Sequence, residues 1–156
     1  MIVTTKLFEG TLAIGQIEQA HIAARVQWFI DEYEPLFLRM LLGRELAELL
    51  KTEFEKPEHD TKWNELAKQI EPMAVRYVYC YYKSNSENLS AGVGSVKPRA
   101  KNATREPEIN NTIPRWNEMV DMVMAFQHWI NNRKSDYPKH RHQISAICKY
   151  KNSFGI

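Results

Sequence analysis

The stretch "YEPLFLRMLLGRELAELL", residues 33–50, decides the fold. Its leucines, phenylalanine and methionine recur at the three- and four-residue spacing of a helix with one buried face. Gly43 interrupts this pattern where a left-handed helix end favours glycine. Pro35 suits the first turn of a helix, where its missing N–H is not needed. The stretch therefore predicts a short helix starting near Pro35, a sharp corner at Gly43 and a second helix that ends before Pro57.

Helical spacing continues on both sides of this corner. Residues 16–32 predict an earlier helix, preceded by an extended arm over residues 1–15. Asp60 or Thr61 is a candidate N-cap for a helix that Pro72 should kink or restart. The segment "VRYVYCYY", residues 75–82, has strand propensity, but its apolar residues keep helical spacing, and we favour a helix there.

A last helix is predicted from Thr112 and Pro114 up to Pro138. The expected fold class is therefore all-α, a small bundle of about four or five helices with a long inter-helix loop and an extended C-terminal tail. The chain of 156 residues suits one such domain. No apolar run approaches the length of a membrane span, so we expect no membrane partner.

Charge is unevenly distributed along the chain. Residues 1–82 hold 9 basic and 13 acidic residues, a net charge of −4, whereas residues 83–105 carry +4 and residues 133–156 carry +5. The cations thus collect in one loop and one tail. Such asymmetry indicates binding through those two segments, either to nucleic acid or to an acidic protein surface.

The loop, residues 85–112, contains "GVGSVKPRAKNATR" at 92–105. Its Gly-x-Gly is no dinucleotide fingerprint, because no strand precedes it and no third glycine follows, and the chain has no P-loop. A solvated basic loop, a contact to a protein partner and a grip on phosphates all remain open. The candidate assembly or channel residues are Val93, Lys97, Arg99, Lys101 and Arg105.

Catalytic and metal sites find little support. Cys80 lies on an aromatic helical face and is expected to be core rather than nucleophile. The basic tail contains three side chains that can bind a metal, His140, His142 and Cys148. A structural zinc site needs four ligands at a recognisable spacing, which the tail does not provide. We therefore expect no enzyme, no cofactor and no metal. Two cysteines and no leader segment lead us to expect a reducing cytosol.

Four segments in order resemble a known family. They are "FIDEYEPLFLRMLLGREL", "AVRYVYCYY", "LSAGVGSVKPRAKNATREPEINN" and "PRWNEMVDMV", within residues 16 to about 135. Together they resemble the small helical head–tail connector proteins of tailed bacteriophages, also called adaptor, head-completion or neck ring proteins, in the version from phages and prophages of Bacteroides-like hosts. The resemblance implies a homo-oligomeric ring of about twelve copies that binds the portal protein and the next neck or tail protein.

The same resemblance implies a virion protein at the head–tail interface, made in the cytoplasm of the host bacterium. Residues 1–138 would be the helical connector domain, whose loop could pass near channel DNA, and residues 139–156 a C-terminal tail docked on the portal. The implied docking residues are Lys139, Arg141, Ile144, Ile147, Lys149, Tyr150, Lys151 and Phe154. The alternative function is a non-enzymatic nucleic-acid-binding helical module that uses the basic loop and tail.

Overall fold

The computed structural model describes residues 1–58, 60–86, 90–91, 94–95, 109–141 and 147–149. These residues form four α-helices, which are α1 (Ala20–Leu42), α2 (Arg44–Phe54), α3 (Thr61–Ser86) and α4 (Ile109–Asn131). Two 3-10 turns precede them, at Thr5–Leu7 and Gly10–Leu12. Two strands of two residues each, Ser90–Ala91 (β1) and Gly94–Ser95 (β2), pair antiparallel between α3 and α4. The prediction of an all-α bundle with a long loop and a tail is confirmed.

Helix α3 is the centre of the bundle, because it packs against α1 and against α4, while α2 packs against α1. Tyr77 shows how three helices meet. Its ring centroid lies 4.9 Å from that of Phe37 on α1 and 5.9 Å from that of Trp116 on α4. Fully burying a large apolar side chain contributes roughly 1.5–3 kcal/mol. The largest fully buried side chains are Phe37, Ile30, Leu41, Leu42, Leu46, Leu50, Leu66, Ile70, Met73, Met119, Ile130 and Tyr137.

The segment "VRYVYCYY" is helical throughout, as predicted, and forms the C-terminal part of α3. Its residues pack on two sides: Tyr82 meets Phe29 of α1 at 5.4 Å between ring centroids, whereas Tyr77 also reaches α4. A helix contacted from two sides needs apolar residues around much of its circumference. The strand-like composition of this segment therefore reflects central packing rather than a sheet.

The predicted helix start at Pro35 is wrong. Of the two outcomes expected at Pro72, a kink or a restart of the helix, the restart does not occur. Helix α1 continues from Ala20 through Pro35 to Leu42, and α3 continues through Pro72. Pro35 is exposed, so the carbonyl group that loses its intrahelical N–H partner lies on the solvent side of α1. The buried residues Ile30 and Phe37 flank Pro35, and their packing outweighs the cost of proline in a helix.

The corner at Gly43 is confirmed. Gly43 has φ +81° and ψ 160°, and its N–H donates to the Arg39 carbonyl at 3.0 Å. This backbone conformation is essentially restricted to glycine. Helix α2 begins at the next residue, so one glycine both ends α1 and sets the direction of α2.

The N-terminal arm, residues 1–15, is part of the core rather than a free extension. It contributes four buried apolar side chains, although only its two short 3-10 turns have regular structure. They are Val3, Phe8, Leu12 and Ile14. The arm is therefore held by apolar burial, although its sequence lacks the periodicity of a long helix.

Candidate functional site

The chain after α4 returns across the α1–α2 corner. Tyr137 is 1% exposed, and its hydroxyl donates a 2.7 Å hydrogen bond to the Lys62 carbonyl at the start of α3. The Arg141 N–H donates to the Leu42 carbonyl at 3.0 Å. A ring nitrogen of His140 lies 3.2 Å from the Leu41 carbonyl oxygen. The contacts of Arg141 and His140 supply partners to carbonyl groups that the last turn of α1 leaves unsatisfied.

Residues 147–149 lie against α4. Ile147 is 6% exposed and belongs to the core. The Trp116 indole N–H donates to the Cys148 carbonyl at 2.9 Å, and the Lys149 ammonium group lies 2.7 Å from an Asp121 carboxylate oxygen. The described part of the tail is thus attached to the helical body of the same chain by apolar, polar and ionic contacts.

The structure describes four of the eight residues expected to dock on a portal, namely Lys139, Arg141, Ile147 and Lys149. Lys139, Arg141 and Lys149 keep exposed side chains, and Lys139 lies 3.8 Å from Glu45. Ile147 is buried in the core of its own chain, so it is not on the surface where the docking prediction placed it. Four other tail candidates lie outside the described residues, namely Ile144, Tyr150, Lys151 and Phe154. The loop candidates Val93, Lys97, Arg99, Lys101 and Arg105 also lie outside them.

A concave site lies where the loop leaves and re-enters the helical body. Its volume is about 400 Å³, and Cys80 and Ser84 of α3 face Thr112 and Trp116 of α4 around it. Burial raises the pKa of the Cys80 thiol to about 12, and that thiol lies 3.7 Å from the Thr112 carbonyl oxygen. A thiol with so high a pKa is a poor nucleophile at neutral pH. Cys80 is thus a core residue, as the sequence predicts.

A second concave region lies beside the N-terminal arm, between α1 and α2. This groove has a volume of about 500 Å³ and an apolar floor that includes Ile30, Leu38 and Leu50. Glu34 lies among these residues and is buried. Its two carboxylate oxygens accept hydrogen bonds from the Ile2 N–H at 2.8 Å and the Val3 N–H at 3.0 Å.

Glu34 is the residue that sequence reasoning missed. Desolvation raises the pKa of its carboxyl group, and the two backbone hydrogen bonds oppose that rise. The signal for it was present in the sequence, because Glu34 stands four residues from both Ile30 and Leu38 on the buried stripe of α1. An acidic residue on such a stripe indicates a specific polar partner inside the protein.

Large apolar side chains also lie on the surface. Trp28 is 57% exposed on α1, and Met124 is 55% exposed on α4. Leu36 on α1 and Leu49 on α2 are exposed as well. Aromatic residues and methionine are enriched at protein interfaces. Large apolar side chains are thus exposed on α1, α2 and α4.

Metal-binding side chains do not cluster in the described part of the chain. Among those residues, no group of three or more His, Cys, Asp and Glu side chains is arranged to hold a metal ion. None of the described helices is long and apolar enough to cross a bilayer. No protein-family model matches this chain, and the comparisons with curated proteins and with solved structures found no similar protein.

Proposed function

We propose that this protein is a structural subunit of a tailed-bacteriophage particle. About twelve copies form a ring under the portal, join the head to the tail and continue the DNA channel. The proposal is non-enzymatic, because association alone performs the work. It rests on the sequence resemblance together with the geometry of the body described above.

One observation carries the proposal most directly. The compact helical body keeps its basic C-terminal residues at the surface of the α1–α2 corner, where Lys139 and Arg141 are exposed. Exposed apolar residues such as Trp28 and Met124 lie elsewhere on the same body. A ring subunit needs separate surfaces for its neighbours in the ring and for the rings above and below it. The exposed cations at this corner, Arg141 and the Glu45-paired Lys139, would contact an acidic portal surface.

The rival function, a nucleic-acid-binding helical module, draws its support from the same cations. Binding through phosphate contacts weakens steeply with added salt, because each contact releases counterions. We therefore propose titrating the purified protein with duplex and single-stranded DNA at several salt concentrations, alongside a titration with the portal protein of the source phage. Portal binding by an oligomer, with weak DNA binding, supports the connector. Tight, salt-sensitive DNA binding by a monomer contradicts it.

A further inference from the structure

The N-terminal arm is held against the helical body by contacts that the arm of a second copy of this chain could make equally well. Glu34 receives only main-chain N–H groups from the arm, one on each carboxylate oxygen. The arm is also held by apolar burial of Val3, Phe8 and their neighbours, and by a contact of the Gln27 amide with the Met1 sulfur at 3.4 Å. A second copy of this chain carries the same groups. It therefore offers an arm that fits this groove equally well.

The connection between the arm and α1 is short and exposed. Gly15, Gln16 and Gln19 are all exposed, and the Gln19 N–H donates to the Gln16 carbonyl at 2.9 Å to close a tight turn. The N-cap of α1, Gln19, makes no side-chain capping bond. This turn is thus the place where the arm could be redirected, and Ile17 is the residue within it that packs against the core.

The turn is also strained. Gln16 has φ +59°, and in the described part of the chain no other non-glycine residue has a positive φ. The left-handed region is unfavourable for residues with a Cβ atom. If the turn opened into an extended connection, Gln16 would leave this region and the strain would be released. Short hinge loops under strain favour exchange of a terminal element between copies.

We propose that the N-terminal arm is exchanged between copies of this chain. Residues 1–15 of one copy occupy the place beside α1 and α2 of the next, where Glu34 of the receiving copy accepts the Ile2 and Val3 N–H groups of the donor. Exchange keeps every arm contact and converts it into a contact between subunits. The inference goes beyond the proposed connector, because it concerns self-association and does not require a virion.

The experiment co-refolds two full-length versions of different mass in a Cys148→Ser background. One carries Ile2→Cys, and the other carries Gln27→Cys, chosen because the Gln27 amide contacts the Met1 sulfur at 3.4 Å. A short thiol-specific crosslinker then joins the arm of one version to α1 of the other if the arms are exchanged. Cys80 is buried and does not compete. Ile2→Cys and Gln27→Cys placed together in one chain give the positive control for proximity. Ser135→Cys, on an exposed turn, replaces Gln27→Cys as the matched negative control.

Two substitutions at Gln16 test whether the conformation of this turn controls the exchange of the arm. Gln16→Gly relieves the strain of the closed turn and should lower the yield of crosslinked heterodimer by roughly 2- to 5-fold. Gln16→Pro cannot adopt a positive φ, so the exchanged form should dominate. The proposal is supported if the natural Gln16 gives a higher yield of crosslinked heterodimer than Gln16→Gly does. This comparison holds even if the proline variant does not fold. A yield equal to that of the Ser135→Cys control, or one unchanged by Gln16→Gly, overturns it.

Discussion

The main chain of Arg141 occupies the space that a side chain at Gly43 would need. A Cβ atom built on Gly43 overlaps the Arg141 carbonyl oxygen and lies 2.9 Å from the Arg141 Cβ atom. The Arg141 N–H also donates to the carbonyl of Leu42, the residue before the glycine. The α1–α2 corner and the C-terminal segment thus fit together only because residue 43 has no side chain.

Gly43→Ala should lower the free energy of unfolding by about 2–3 kcal/mol. Two separate effects contribute, namely the strained backbone conformation of any non-glycine residue and the overlap with Arg141. Urea denaturation followed by circular dichroism measures the change. Gly15→Ala is the matched control, because a Cβ atom there meets nothing within 4 Å. Equal stability of the two variants would contradict this description of the corner.

Glu34→Gln should change how stability depends on pH. Burial raises the pKa of Glu34 in the folded protein, so the folded state binds its proton more tightly than the unfolded state. The contribution of Glu34 to stability is therefore largest below the unfolded pKa and falls as pH rises through the folded pKa. As pH rises above the unfolded pKa of a glutamate, about 4.3, Glu34→Gln should become less destabilising relative to the natural protein.

Denaturation at a series of pH values tests this expectation. Exposed Glu32 lies on the same helix, so Glu32→Gln serves as the control variant. A destabilisation by Glu34→Gln that grows with pH would contradict the sign. Such a result would mean that the two N–H donors from the arm outweigh the desolvation of the carboxylate.

Removal of the C-terminal tail should destabilise the bundle. Deleting residues 139–156 exposes the surface covered by Ile147 and removes the acceptor of the Trp116 indole N–H. The expected loss exceeds ~2 kcal/mol, since burial of one large aliphatic side chain is already of that order. Ile147→Ala should account for much of this loss. Lys149→Ala should cost less than ~1 kcal/mol, because its ion pair with Asp121 is exposed.

A shorter deletion separates folding from docking. Removing residues 150–156 keeps every described contact of the tail. If the proposed docking role is correct, this variant should unfold at the same denaturant concentration as the full chain and fail to enter particles. Normal incorporation of this variant would remove Tyr150, Lys151 and Phe154 from the docking proposal.

The two thiols should differ in reactivity. Cys148 is exposed, whereas Cys80 is buried and its pKa is raised to about 12. Only the thiolate reacts readily, so one thiol per native chain should be labelled by a maleimide near neutral pH. Both should be labelled after denaturation. Rapid labelling of two thiols in the native protein, read by intact mass, would show that the α3–α4 contact opens easily.

The sequence predicts much of this fold because its strongest local signals agree with the packing. Gly43 marks the corner, and the spacing of Val75, Val78 and Tyr82 indicates a helix despite strand-like composition. The helix start predicted at Pro35 and the restart considered at Pro72 do not occur, because the burial of neighbouring apolar residues outweighs the low helix propensity of proline. Pro35 lies on the exposed side of α1, where the lost hydrogen bond can be replaced by water.

The site was harder to predict, because it depends on contacts far apart in the sequence. Nothing local shows that Glu34 bonds to Ile2, or that Arg141 crosses the corner at Gly43. The sequence predicts a docking tail over residues 139–156 and does not predict its contacts with the helical body. Its contacts use single residues, such as Ile147, together with main-chain groups that carry no sequence signal.

The central claim, that this chain is a connector subunit, is tested most directly by its copy number in particles. Quantitative mass spectrometry of purified virions from the source phage compares this chain with the portal and major capsid proteins. About a dozen copies per particle, equal to the portal count, is the expected result for one neck ring. Hundreds of copies would indicate a decoration protein, and absence from the virion would contradict the connector.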